Sequence, residues 1–306
     1  MQRFIVLRIG QGLIALFAVS IIVFSLTRLT GSPADVFLSV DATQEDYDRI
    51  AEQWGLNDPL YQQYLVFLFN VLRGDLGDSW RWPGHTAFEL TIQRSIATLQ
   101  LALFSLSVST VIAVPIGVMA AVNKDRPIDW VGKVIALLGQ SVPPFWMGLV
   151  LIWIFAVQLE WLPTSGRGSF KHIIMPAITM GWFQVAAVMR LMRSSMLDSL
   201  DTEYVKLARI KGLTERKVVW KHALKNAAIT PLTYFGIIAA SFLTGSVVVE
   251  TVFAWPGIGS LAIEAVRSQD YTVIQAVVVL FAGVFIFASL VVDILYAYLD
   301  PRIRYQ

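Results

Sequence analysis

Hydrophobic and polar positions along the chain separate into long apolar runs divided by charged segments. Six runs come close to the ~20 residues that a helix needs to cross hydrocarbon: 9–29, 95–122, 131–159, 173–191, 229–253 and 273–299. This pattern predicts an all-α polytopic membrane protein with six transmembrane helices. The third and fourth runs carry Pro143, Pro144 and Pro176, and a break in the helix is expected at each place. A re-entrant segment at SVPPF is the alternative for the third run. The first run extends back to Phe4 and lacks a small-x-small cleavage site, so it reads as a retained helix and not a removable signal.

The segment 31–94 is too long for a simple turn. Thr43 can cap a helix running toward Trp54, with Asp46 three residues on closing a capping box, and Gly55 and Asn57 stopping it. Pro59 then opens LYQQYLVFLFNVLRG, in which Leu60, Tyr64, Phe67, Leu68 and Leu72 fall on one face. This second helix caps the first span, or else offers a docking surface to an external delivery protein. GDLGDSWRWPG is a turn-rich return path that lacks the GxxxxGK pattern of a nucleotide loop. The expected organisation is an N-terminal transmembrane helix over 1–30, an extracytoplasmic helical segment over 31–94, a five-helix core over 95–299 that includes a cytoplasmic loop at 193–228, and a tail over 300–306.

Charge orients the runs. Arg3 and Arg8 precede the first without an acid, and the loop between the second and third has Lys124, Arg126 and Lys133 against Asp125 and Asp129. The region from Arg190 to Lys225 holds nine bases against four acids, and the tail adds Arg302 and Arg304 against Asp300. The segment 31–94 holds ten acids against four bases. The positive-inside rule therefore places both termini and the basic loop in the cytoplasm. Composition agrees: 56% of the 306 residues are hydrophobic, 15% are charged and mean hydropathy is +0.62, against about 25% charged in ordinary globular domains. With no cysteine, disulfides and thiolate metal sites are excluded.

No catalytic constellation is visible. His85, His172 and His222 fall on different sides or depths of this topology, and there is neither a Walker lysine nor an HExxH pair. The basic loop carries more information. Tyr204, Leu207, Ala208 and Lys211 recur at helical spacing, and Gly212 can end that helix in the left-handed conformation. Thr214 can cap a second helix reaching about Lys225, and Pro231 falls where the fifth run begins. Two short helices joined at a glycine form a protruding elbow that can fit a groove on a soluble partner. A plain solvated loop touching lipid phosphates would need no such ordered pattern.

Glu250 and Asp293 lie inside apolar runs, where acids are costly and usually face protein or water. Glu250 either meets a solute path or an external binding protein, or bonds to the turn at Trp255 to Gly257. Asp293 reads as structural. SVPPFW disrupts a regular helix, which either widens a passage or packs as a kink.

The loop residues Glu203, Tyr204, Ala208, Arg209, Lys211 and Gly212, followed by His222, Ala223, Leu224, Asn226 and Ala227, resemble the signature of the inner-membrane permeases of binding-protein-dependent ABC importers, in the peptide/nickel transporter branch. The likeness extends to YLVFLFNVLRGDLGDS, SVPPFW, RSSML, VVETVFAWPGIG, YTVIQ and DPRIR, nearly the whole chain. Thr230 before Pro231 departs from the more apolar residue common there, and the outer turn from Glu160 to Lys171 lacks the long insertion of some relatives. The resemblance implies a type I importer permease fold in a bacterial inner membrane. It implies a coupling surface for the ATPase at the six loop residues named first. It makes Glu250, Trp255, Pro143 and Pro144 candidates for the translocation path or the binding-protein contact. It implies a second homologous permease, two cytoplasmic ATPase domains and a periplasmic or lipid-anchored solute-binding protein as partners, besides membrane lipid, and no nucleic acid. The chain itself would hold no cofactor; ATP and Mg would sit on the ATPase subunits. Di- or oligopeptides are the favoured solutes because no metal shell is evident. A nickel chelate, glutathione, an opine or another small peptide-like solute stays open, as do a self-contained secondary transporter and a non-transporting scaffold.

Single cysteines replacing Asp46 and Glu215 are expected to react with an impermeant thiol reagent from opposite sides of the membrane. Reaction of both from the same side would overturn the six-span arrangement.

Overall fold

The computed structural model describes residues 2–29, 43–53, 55–244 and 247–299. Four of its helices are long and apolar enough to cross a membrane: Ile5–Leu29, Ala87–Val122, Lys171–Leu200 and Tyr271–Ile294. Pro127–Ser141 and Pro144–Gln158 meet the same test as a pair, bent by 106°. The bend has a local cause. Pro143 adopts an extended conformation, with φ −62 and ψ 140, and Pro144 takes the first position of the second arm, where its missing N–H costs nothing. The second arm finishes in a π-helical stretch, Ile152–Gln158.

Two expectations need adjustment. The fourth run is not interrupted at Pro176: the helix continues through it from Lys171 to Leu200. The proline is the sixth residue of the helix, so the N–H that would bond the His172 carbonyl is missing while the helix continues past it. The fifth run is a helix at Ile229–Thr244 followed by another at Val247–Val252, with 245–246 outside the described residues. Trp54 and the Asp46 side chain of the expected capping box are likewise outside them. The helix Gln44–Gln53 nevertheless starts directly after Thr43, and Gly55 follows with φ +61.

The chain divides into two compact units, one formed by Met1–Thr98 with Pro256–Leu290 and the other by Leu99–Trp255 with Val291–Gln306. In the first unit the helix Leu60–Arg73 lies along the first helix. Tyr64 meets Phe17 and Phe24 edge-on at 6.1 and 5.5 Å, and its hydroxyl lies 2.8 Å from that of Ser20. Tyr64, Phe67 and Leu68 thus face inward as their spacing predicts, whereas Leu60 and Leu72 are exposed. Gln275 of the last long helix donates to Thr27 at 2.7 Å, which adds a polar tie between apolar rods.

The return path is anchored by a carboxylate. Asp270 is fully buried just before the helix Tyr271–Leu299. One of its oxygens accepts the Val273 N–H at 3.2 Å and lies 2.7 Å from the Thr272 hydroxyl, which is N-cap geometry. The other accepts the Ser79 hydroxyl and, at 3.2 Å, the Arg81 N–H. A single side chain therefore caps a membrane helix and closes the GDLGDS turn. The adjoining core is Ala87, Leu90, Leu261, Ala265, Val273 and Ala276.

In the second unit small residues allow helices to touch. A Cβ at Gly139 would stand 2.6 Å from that of Ala186, and one at Gly181 would stand 2.5 Å from the Ser109 hydroxyl oxygen. Lipid tails are as apolar as side chains, so such backbone proximity is what holds membrane helices together.

Asp270→Ala should destabilise the protein by about 2–4 kcal/mol, because it removes the cap and strands buried donors. Asp270→Asn, which retains an acceptor, should cost less than half of that. Thermal unfolding of the two variants in detergent checks the order.

Candidate functional site: a coupling elbow and the apolar knot beneath it

Helix Lys171–Leu200 ends at Asp201, and the chain turns at Thr202 into the short helix Glu203–Ile210. That helix is closed by a Schellman motif. Gly212 has φ +74, its N–H bonds the Arg209 carbonyl at 2.9 Å, and the Leu213 N–H reaches the Ala208 carbonyl at 3.3 Å. The expected left-handed glycine is therefore present, and nothing lies within 4 Å of a Cβ added there. A side chain at 212 would meet only the backbone penalty of the left-handed region.

After Thr214 the chain is helical again through Glu215–Lys217, a π-helical turn at Val218–Ala223 and Leu224–Ala227. Thr214 occupies the N-cap position, but it contributes its carbonyl, which accepts from Lys217 and Val218, and makes no side-chain cap bond. The π-turn could not be read from the sequence. It inserts one extra residue per turn and keeps Val218, Val219 and Ala223 all facing inward.

Both arms pack on the long helices. Val205, Ala208, Val218 and Ala223 join Val118, Ala121, Met192 and Met196 in one buried cluster. Ser199 ties the joint by donating to the Ala223 carbonyl at 3.0 Å, while its oxygen lies 2.7 Å from the Tyr204 hydroxyl. The arms are also joined by Arg209, whose guanidinium bonds the Glu215 carboxylate at 2.7 and 3.2 Å. That bond holds Glu215 below its ordinary carboxylate range and raises Arg209.

The six expected loop residues are thus brought together, but in different roles. Ala208 is only 7% exposed, so its small size serves the elbow's own packing and not an outer contact. Glu203 and Lys206 pair on the surface at 2.9 Å. Tyr204 braces the joint, and Lys211 and Gly212 form the tip. The exposed apolar residues at the tip are Leu207 at 54% and Ile210 at 80%. Ile210 was not singled out from the sequence, although an isoleucine on a charged loop was a usable signal.

A second feature escaped the sequence reading entirely. Asp129, in the first turn of Pro127–Ser141, is fully buried. It accepts a bidentate pair of hydrogen bonds from Arg193, the longer at 2.8 Å, with Lys133 at 3.0 Å and the Asp125 N–H also at 3.0 Å. The motif RSSML supplies this arginine one turn before Met196.

The outer candidates are placed as follows. Glu250 is completely buried in Val247–Val252, and its carbonyl accepts the Trp255 N–H at 2.8 Å. Trp255 is buried as well, but borders a cavity of 560 Å³. Pro143 and Pro144 are exposed at the start of their arm, whose Gly148 lies against Val252 and Phe253. Among the described residues no group of three His, Asp or Glu could hold a metal ion.

Comparisons with known proteins place this all-α bundle. Residues 113–305 match the binding-protein-dependent transport system inner membrane component, and residues 1–83 match the N-terminal membrane component of the same systems. The chain is 36% identical over 316 residues to the oligopeptide transport system permease protein AppB of Bacillus subtilis, with each chain fully covered. It is 39% identical over 307 residues to the glutathione transport system permease protein GsiC of Escherichia coli, again at full coverage of both. Among solved structures, the MetNI methionine ABC transporter aligns with a TM-score of 0.58 at 18% identity, covering 69% of this chain and 96% of that one. An amino acid ABC transporter aligns with a TM-score of 0.51 at 18% identity, covering 67% and 92%. The chain belongs to the family of binding-protein-dependent transport system inner membrane components. It is a permease subunit, not an enzyme.

Gly212→Val should destabilise the elbow by about 1–2 kcal/mol through backbone strain alone, while Gly212→Asn should cost less, since asparagine tolerates the left-handed region. Hydrogen exchange across 203–228 is expected to accelerate in the valine variant and to change little in the asparagine variant.

Proposed function

We propose that this subunit forms half of the translocation path of an ATP-driven importer for di- or oligopeptides delivered by an extracytoplasmic solute-binding protein. What supports the solute class is full-length similarity to permeases named for oligopeptide and glutathione transport. The path forms between this chain and a second homologous permease. Two cytoplasmic ATPase domains, which carry ATP and Mg, drive the pair. The chain spans the bacterial inner membrane six times with both termini in the cytoplasm. The fifth crossing is made by the Ile229–Thr244 and Val247–Val252 helices together, and 31–94 lies outside.

The observation that carries the coupling role is the elbow at 203–227. It is rigid, because Schellman closure, the Arg209–Glu215 pair and the buried cluster fix both arms. It is also sticky, because Leu207 and Ile210 stand exposed at a tip otherwise rich in charge. An apolar knob on a charged, ordered protrusion fits an apolar cleft on a soluble protein better than it fits water. The ATPase therefore docks on Leu207, Ile210, Lys211 and Gly212, with Glu203 and Arg209 at the rim. Ala208 supports the knob from beneath.

Ile210→Asp should reduce recovery of the ATPase subunits on purified permease pairs by about tenfold or more, as removal of a central apolar anchor does. Lys217→Ala, which removes one exposed charge, should change recovery by less than about threefold. Equal recovery with wild type and Ile210→Asp would place the contact elsewhere on the loop.

A further inference from the structure

The cavity beside Trp255 lies wholly within one unit. Its floor and one wall come from Gln100, Leu103, Phe104 and Ser107 on the helix Ala87–Val122. The opposite wall comes from Arg167 and Phe170, ahead of the helix that starts at Lys171. Phe104 and Phe170 meet edge-on at 5.3 Å, and the Arg167 guanidinium lies 5.9 Å from the Trp255 ring centre. The volume of 560 Å³ is within the range of small-molecule sites, about 300–1,000 Å³.

Two properties give the cavity a chemistry. Among the described residues Arg167 is the one charged group that lines it, and no acid does, so an anion entering it meets positive charge. Among the described contacts Arg167 makes one hydrogen bond, donating to the Gln100 side-chain oxygen at 2.8 Å. A guanidinium offers five N–H groups in a planar fork suited to a carboxylate, so most of that capacity remains. Held this way, the Gln100 amide has its oxygen engaged and keeps its N–H₂ as a further donor. Gln100 is also exposed, at the sixth position of the apolar run 95–122, near one end of the crossing, where a polar side chain meets water or headgroups and is open to a water-borne solute. The aromatic edges of Phe104 and Phe170 bound the same space and accept an apolar side chain beside the charge.

We propose that this cavity is a subsite of the solute path that takes a carboxylate of the passing peptide, held by Arg167 and Gln100, with the neighbouring side chain against Phe104 and Phe170. The inference rests on the peptide reading given above. It makes Arg167 a specificity-determining residue of the permease itself, separate from selection by the binding protein.

The test uses the complete importer in proteoliposomes with its own binding protein, and compares uptake of a peptide with that of its C-terminal amide. The ratio of the two rates contains the binding protein's preference, but the change in that ratio between permease variants does not. Arg167→Ala should narrow the ratio by about tenfold, the size expected for one lost charge-assisted contact, and Arg167→Lys should keep it within about threefold of wild type. An unchanged ratio in Arg167→Ala would overturn the subsite while leaving peptide import intact. Absence of peptide uptake by the wild-type complex would instead overturn the peptide reading, and the carboxylate with it. Should the alanine variant fail to assemble, Ser107→Cys in this cysteine-free chain gives an independent measurement. Its reaction with a water-soluble maleimide should be slowed when the importer turns over peptide. Modification at one rate with and without peptide would overturn the proposal equally.

Discussion

The buried carboxylate of Asp129 is the constraint on which the elbow end of this subunit depends. A carboxylate removed from contact with water is tolerable only when its oxygens are fully engaged. Here they meet the fork of Arg193, the Lys133 ammonium and the Asp125 N–H. The last of these requires Asp125 to hold φ +62, in a region that aspartate tolerates better than most residues. The cluster ties the start of Pro127–Ser141 to Lys171–Leu200 and favours one register, since sliding either helix by a residue would part the buried carboxylate from its bases. The close approach of Gly139 to Ala186, farther along the same pair, is possible only in that register.

That register is passed on to the elbow. Arg193 belongs to the same helix as Met192, Met196 and Ser199, which form the floor on which Val205, Val218 and Ala223 pack. The elbow thus behaves as an extension of the long helix and not as a loop attached to it. Its rigidity comes from several modest interactions acting on one short segment: a glycine-closed turn, a surface ion pair and a small apolar knot. The ion pair alone would contribute little, since both partners are substantially exposed. Its role is to hold the two arms at a fixed angle once the knot has placed them.

What was legible in the sequence was local. Gly212 as a left-handed terminator, the break at Pro143 and Pro144, and the inward face of Tyr64 and Phe67 all follow from residues within a few positions of one another. Long-range pairings were not legible. Asp129 and Arg193 stand 64 residues apart, and Ser79 and Asp270 stand 191 apart. Each of the four reads as an ordinary loop or helix-end residue until the fold brings them together. Ala208 was misplaced for a different reason. Helical spacing groups it with Tyr204 and Lys211, but spacing does not say which side of a short helix meets the protein. In a membrane chain the usual guide is weak, because helices apolar all round give no inner face. The i, i+3 pair Val205 and Ala208, set against Glu203, Lys206 and Arg209, was the pattern that marked the buried side. Pro176 misled because a proline in a membrane helix removes one backbone bond without ending the helix when neighbouring groups take up the freed carbonyl.

The position of the cavity gives the arrangement a mechanical sense. The elbow packs on the helix Ala87–Val122 at Val118 and Ala121, and on Lys171–Leu200 at Met192 and Met196. The cavity is bounded by the same two helices nearer their other ends, at Gln100 to Ser107 and at Phe170 to Ile173. At 1.5 Å per residue the two levels are separated by about 20 Å along Ala87–Val122 and by about 30 Å along Lys171–Leu200. Packed helices deform little along their length, so the elbow and the cavity walls are joined by stiff elements. The two helices are also in direct contact at the cavity level of the first, where Gly181 lies against Ser105 and Ser109. Elbow and cavity therefore share two helices, and the packing of Gly181 on Ser105 and Ser109 is the contact that ties both ends of the unit together.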